Sequence, residues 1–134
     1  MTPFGAKLRS MRAERGVLLK EMAIDIGVTP TYLSALEHGR RGRPNWVFVQ
    51  RVIAYFNVIW DDAEELMRLA DISHPKMVVK TSGLSPDATA FANRLSLHIH
   101  DLDPSTIRRM THLLDEALKA EPGQQPKLDL MQDE

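Results

Sequence analysis

The chain has no cysteine among its 134 residues. That absence excludes a disulfide framework, a thiolate metal site and a cysteine nucleophile. No apolar run reaches the length of a membrane-spanning helix. The N-terminal stretch MTPFGAKLRSMRAERG alternates charged and apolar residues and lacks a secretory apolar segment. A cytoplasmic protein, in a cell without a nuclear barrier, is therefore expected. No nucleophile–base pair and no phosphate-binding loop is present, so no catalytic residue is assigned and an enzyme is not expected. What remains is a chain long enough for one or two small domains, with 43% hydrophobic residues to build a core and 26% charged residues to keep it soluble.

The net charge of −1 conceals an asymmetry. From Met1 to Trp60 there are nine basic residues against four acidic ones, and the rest of the chain has eight against fourteen. A basic first half joined to an acidic second half suggests a polyanion-binding domain beside a segment with another task.

Apolar spacing of three and four predicts helices throughout. The first runs from about Pro3 to Arg15, with Phe4, Leu8 and Met11 facing inward and Gly16 as its stop. The second spans about Leu19 to Ile26. Thr29 and Pro30 are an N-cap and a first helical residue for a third, which ends near Glu37 before Gly39. Pro44 and Asn45 open a fourth, with Trp46, Val49, Ile53 and Phe56 on the expected inner face. Val47, Phe48 and Tyr55 fall off that face, to be covered by a neighbouring helix or by a dimer contact. A fifth helix follows Trp60, with acids in its first turns. Residues 72–84 read as a linker, within which Met77–Val79 is a candidate short strand. Ser85-Pro86-Asp87 and Asp103-Pro104-Ser105 then open two amphipathic helices, read as a hairpin over 85–120. Residues 121–134, rich in proline, glutamine and acid, read as a disordered tail.

The segment from Leu19 to His38, LKEMAIDIGVTPTYLSALEH, is the most specific part of the chain. It reads as a helix-turn-helix. Its fifth residue, Ala23, falls where two helices cross and only a small side chain fits. Its ninth, Gly27, falls in the turn, where positive φ is free of steric cost for glycine. Met22, Ile26, Val28, Leu33 and Leu36 supply the apolar contacts that lock the pair. A helix held in this way can project into a DNA major groove.

The stretches FGAKLRSMRAERG, EMAIDIGVTPTYLSALEHGRRGRPNW and VQRVIAYFNV resemble the XRE family of regulators, the lambda-repressor/Cro-like helix-turn-helix domains. The resemblance covers roughly Pro3 to Asp71. It implies an all-α, five-helix lambda-repressor-like DNA-binding domain over 1–71, followed by the C-terminal helical hairpin. It implies double-stranded DNA as partner. It also places Pro30, Thr31, Tyr32, Ser34 and Ala35 toward base edges, and Lys20, His38, Arg40, Arg41 and Arg43 toward the phosphate backbone. Glu37 is left a structural role beside the basic loop. Leu18 and Leu19 stand where the family often has a polar cap and a phosphate-holding glutamine, and Pro30 and Ala35 have no side-chain hydrogen-bonding group. DNA shape and the loop arginines are therefore expected to contribute much of the recognition.

Two amphipathic helices alone bury little surface. Phe91, Leu95, Ile99, Ile107, Met110 and Leu114 are the candidate dimer interface, and a homodimeric repressor on a two-half-site operator is the resulting expectation. Three alternatives stay open: an antitoxin-like protein whose C-terminal helices bind a toxin, an adaptor without DNA binding, and a ligand-sensing regulator. His98 and His100 are two residues apart and point to different helix faces, so no metal site and no cofactor are expected.

Overall fold

The computed structural model describes residues 1–120, and expectations for the tail from 121 lie outside them. The described residues are helical apart from their connections and fall into two units, Met1–Val78 and a second beginning at Val79. Among them no helix is long and apolar enough to cross a membrane.

The first unit holds α1 (Pro3–Arg15), α2 (Leu19–Ile26), α3 (Pro30–Glu37), α4 (Trp46–Phe56) and α5 (Trp60–Asp71). Local chemistry sets the starts. The side-chain oxygens of Thr2, Thr29 and Asn45 accept the amides of Gly5 (3.1 Å), Tyr32 (3.0 Å) and Phe48 (2.7 Å). Each supplies one of the hydrogen bonds that a helix N-terminus otherwise leaves unmade. Between α2 and α3 the chain turns at Gly27, whose φ of 88° favours glycine.

Every helix contributes to one core. Phe4 and Leu8 come from α1, Met22, Ala23 and Ile26 from α2, Leu33 and Leu36 from α3, and Leu66 and Ala70 from α5. The contribution of α4 differs from expectation. Its buried residues are Phe48, Val49, Val52 and Phe56, while Trp46 is 69% exposed. The inward stripe is rotated by about a quarter turn from one anchored on Trp46, since each residue advances ~100°. Phe48 thus belongs to the core, edge-on to Phe4 at 6.4 Å, and Tyr55 packs edge-on to Phe56 at 5.0 Å.

Polar contacts close the unit. The hydroxyl of Ser73, buried beyond the end of α5, accepts the Phe4 amide at 2.8 Å and donates to the Leu69 carbonyl. This bond joins the first helix to a residue past Asp71, which explains why the compact unit extends beyond 71. Arg15 donates to the carbonyls of Tyr55 (3.3 Å) and Phe56 (2.9 Å), and Arg51 to that of Ile26 (3.3 Å). Each satisfies carbonyls at a helix end. Met77–Val79 forms no strand; nothing pairs with its backbone among the described residues.

The second unit holds α6 (Pro86–His98), a single 3-10 turn (Ile99–Asp101) and α7 (Pro104–Ala120). The expected start signals operate: Ser85 accepts the Ala88 amide at 3.2 Å and Asp103 that of Thr106 at 2.7 Å. Hydrogen bonds from Thr106, side chain and amide, and from the Ser105 hydroxyl hold the Asp103 carboxyl below the usual carboxylate range. None of the described side chains of this unit is buried. An open cleft of about 470 Å³ runs past Phe91, Leu95, Leu102 and Met110, with Asp87, Arg94 and His98 among its lining residues.

Candidate nucleic-acid interface

Three devices fix α3. Ala23 is fully buried, so α2 and α3 approach closely over a small side chain, as the spacing predicts. Gly5 of α1 lies against the last turn of α3: a methyl group there would sit 2.2 Å from the Leu36 carbonyl oxygen. Finally, Arg12 of α1 forms a two-point ion pair with Glu37, at 2.8 and 3.1 Å, and also donates to the Val17 carbonyl. Glu37 is 1% exposed and Arg12 21%. Hydrogen bonding to Glu37 raises the pKa of Arg12 further. Glu37, expected to have a structural role beside the basic loop, thus has Arg12 as its partner.

With its inner face fixed, α3 presents its start and one side. Pro30 and Thr31 are exposed, and Ser34 and Ala35 half-buried. Tyr32 is also half-buried, its ring edge-on to Phe48 at 5.7 Å. Lys20 is exposed in the first turn of α2. His38 is exposed, with Nδ1 2.8 Å from the Ser34 carbonyl oxygen. A carbonyl only accepts, so Nδ1 carries the proton and the other ring nitrogen can donate to a phosphate only when the imidazole is charged.

Arg40, Arg41 and Arg43 are all exposed on the loop from α3 to α4. That loop doubles back along α3: the Arg41 guanidinium lies 5.4 Å from the Tyr32 ring centroid, near the start of the helix. Arg43 is 3.4 Å from the carboxylate of Asp71. The structure therefore brings Tyr32 and Arg41 together, and places Arg43 beside Asp71 at the end of α5.

Sequence reasoning counted Arg12, Arg15 and Arg51 with the basic charge of the first half. All three are bound internally to a carboxylate or to helix-end carbonyls. Among the described residues, only Arg12 of the three has its charge paired; Arg15 and Arg51 are exposed and add to a cationic surface that includes the α3–α4 loop. The partners lie 25 to 41 positions apart, beyond any local pattern.

Residues 3–67 match the family model described as a helix-turn-helix domain. The first unit is similar to a helix-turn-helix domain along most of its length, in keeping with the resemblance read from the sequence. A curated relative, the uncharacterized HTH-type transcriptional regulator RghRB of Bacillus subtilis (strain 168), is 29% identical over 62 residues. The match covers 46% of this chain and 45% of that protein, so this helix-turn-helix chain spans about half the length of the curated relative it matches. A solved SinR protein/SinI protein complex aligns over 87% of this chain and 98% of that one, with 21% identity and a TM-score of 0.42. Helices α2 and α3, joined through Gly27, are the two helices of the helix-turn-helix read from the sequence.

Proposed function

We propose that this protein is a sequence-specific DNA-binding transcriptional regulator, acting as a homodimer and most simply as a repressor that occludes a promoter in the bacterial nucleoid. The carrying observation is a helix-turn-helix whose second helix is pinned from behind by Gly5 and the Arg12–Glu37 pair, while its start lies under an exposed arginine loop. Helix α3 would enter the major groove, with Thr31, Ser34 and Ala35 toward base edges and Arg40, Arg41 and Arg43 on phosphates. The transcriptional-regulator name of the B. subtilis relative supports this reading. No catalysis, metal or cofactor enters the proposal.

Binding isotherms at several salt concentrations test it. Arg43→Ala and Arg41→Ala are each expected to weaken binding on all sequences and to lower the salt slope by about one unit. Thr31→Ala is expected to change which bases are preferred. An unchanged slope in both arginine variants would remove the loop from the interface. Asp71→Asn should raise affinity modestly, because the exposed carboxylate competes with phosphate for Arg43.

The second unit is proposed to hold two copies together. Phe91, Ile99, Ile107 and Leu114 are exposed, and Leu95 and Met110 border the open cleft. An apolar surface left open on helices with no buried side chain calls for a partner. The two recognition helices would then lie ~34–36 Å apart, one DNA turn. A chain ending after Val78 keeps Ser73 and its bond to Phe4. It is expected to sediment as a monomer and to bind operator DNA far more weakly than the full chain. If the full chain itself sediments as a monomer, the surface belongs to a different protein, the antitoxin-like alternative.

A further inference from the structure

We infer that Arg41 is a DNA-contacting arginine held in place before DNA arrives by the ring of Tyr32, and that Tyr32 is a positioning residue and not a reader of base edges, an inference that rests on the DNA-binding reading above. The geometry begins in the core. Phe4 is fully packed and meets Phe48 edge-on, with ring centroids 6.4 Å apart and planes at 64°. Phe48, also buried, meets Tyr32 edge-on at 5.7 Å and 82°. The Tyr32 backbone is fixed too, because its amide is the one that Thr29 caps. The Tyr32 ring is therefore a rigid outpost of the core at the start of α3. Over it lies the Arg41 guanidinium, 5.4 Å from the centroid.

A guanidinium resting on an aromatic ring keeps its N–H edge available. The ring attracts the cation through its negative face and limits the rotamers of a long side chain, while the five donors stay open for a phosphate or a guanine edge. Without the ring, Arg41 would hang from an exposed loop between Gly39 and Gly42. Arg43 is different: one of its guanidinium nitrogens lies 3.4 Å from the exposed Asp71 carboxylate, which competes with a phosphate for it. The two loop arginines are thus unequal, one preorganised by an aromatic ring and the other shared with a carboxylate.

A double-mutant cycle on a selected operator tests this. Tyr32→Phe keeps the ring and should leave both affinity and preferred sequence unchanged. Tyr32→Leu removes it and should weaken binding about two- to fivefold on every sequence. In an Arg41→Ala background, Tyr32→Leu should have almost no further effect. A shift of preferred half-site in Tyr32→Phe would overturn the inference, because the hydroxyl would then be reading a base. Effects of Tyr32→Leu and Arg41→Ala that simply multiply would overturn it as well. Proton NMR of the free protein separates this from the DNA reading and from misfolding. The Arg41 side-chain protons should be shifted by the ring in the wild type and in Tyr32→Phe, and at ordinary positions in Tyr32→Leu. Ordinary positions in the wild type would overturn the platform even if DNA binds. A shifted Arg41 in a protein that binds no duplex would overturn the DNA-contacting role alone.

Discussion

Gly5→Ala is expected to destabilise the helix-turn-helix unit strongly. The added carbon would lie 2.2 Å from the Leu36 carbonyl oxygen and 3.2 Å from that of Glu37. Both obstacles are backbone in the last turn of α3, so no rotamer change relieves the clash. The two helices must separate, and the core between them, including Phe4, Leu8 and Leu33, must loosen. Overpacking of this kind costs about 1–3 kcal/mol and sometimes more. Alanine returns only ~0.5–1 kcal/mol through its better helix propensity. With ~4–8 °C per kcal/mol in a domain of this size, a fall in melting temperature of about 10 °C is expected in a calorimetric scan. Because α3 is the element displaced, DNA affinity should fall in the folded fraction too. A melting temperature within a degree or two of wild type would mean that α1 and α3 do not approach so closely.

Arg12→Ala is expected to have a comparable effect by a different route. Glu37 is almost fully buried, and its two observed side-chain hydrogen bonds both come from Arg12. Removing the arginine leaves a buried carboxylate without its counter-charge. Such a change costs about 3–5 kcal/mol. The partial exposure of Arg12 lets water reach the gap and places the expectation near the lower end of that range. Replacing both residues with methionine should be far milder, because neither charge is then stranded. Denaturant midpoints for the single and double variants measure this directly. The double variant should also keep the wild-type salt slope in DNA binding, since Arg12 faces inward. A loss below ~1 kcal/mol in Arg12→Ala would show that the pair is incidental to the position of α3.

How far the sequence reveals this molecule depends on the range of the interactions concerned. The helix starts at Pro3, Pro30, Pro86 and Pro104 are legible because a cap and the amide it binds lie three residues apart. The α2–α3 turn is legible for the same reason: Ala23 and Gly27 meet steric demands within one motif. The inward face of α4 is not, because a helix this apolar offers two competing stripes. Only contact with Phe4 and Tyr32 selects the one containing Phe48. The Arg12–Glu37 pair, the Ser73 bond to Phe4 and the clamp of Arg51 on α2 join residues 25 to 69 positions apart, and no spacing rule points to them. Within the candidate interface, composition correctly points to an arginine loop after α3. It gives no sign that Arg41 has an aromatic neighbour and Arg43 an acidic one.

The unequal settings of those arginines bear on how recognition is divided. Pro30 and Ala35 supply shape and apolar contact but no side-chain hydrogen bonds. In the proposed reading, phosphate contacts from the loop would fix register and orientation, and sequence preference would then come from Thr31, Ser34 and the deformability of the DNA. On that reading a regulator of this construction would depend strongly on having two copies, since one half-site offers few base contacts.

Selection of bound duplexes from random DNA by the full-length protein, read out by sequencing, tests the central claim most directly. The account predicts enrichment of two inverted half-sites centred ~10–10.5 base pairs apart. Arg41→Ala should weaken every selected sequence alike, and Thr31→Ala should change the half-site itself. Failure to enrich any sequence at moderate salt, or enrichment that survives replacement of Thr31, Ser34 and the three loop arginines together, would contradict it.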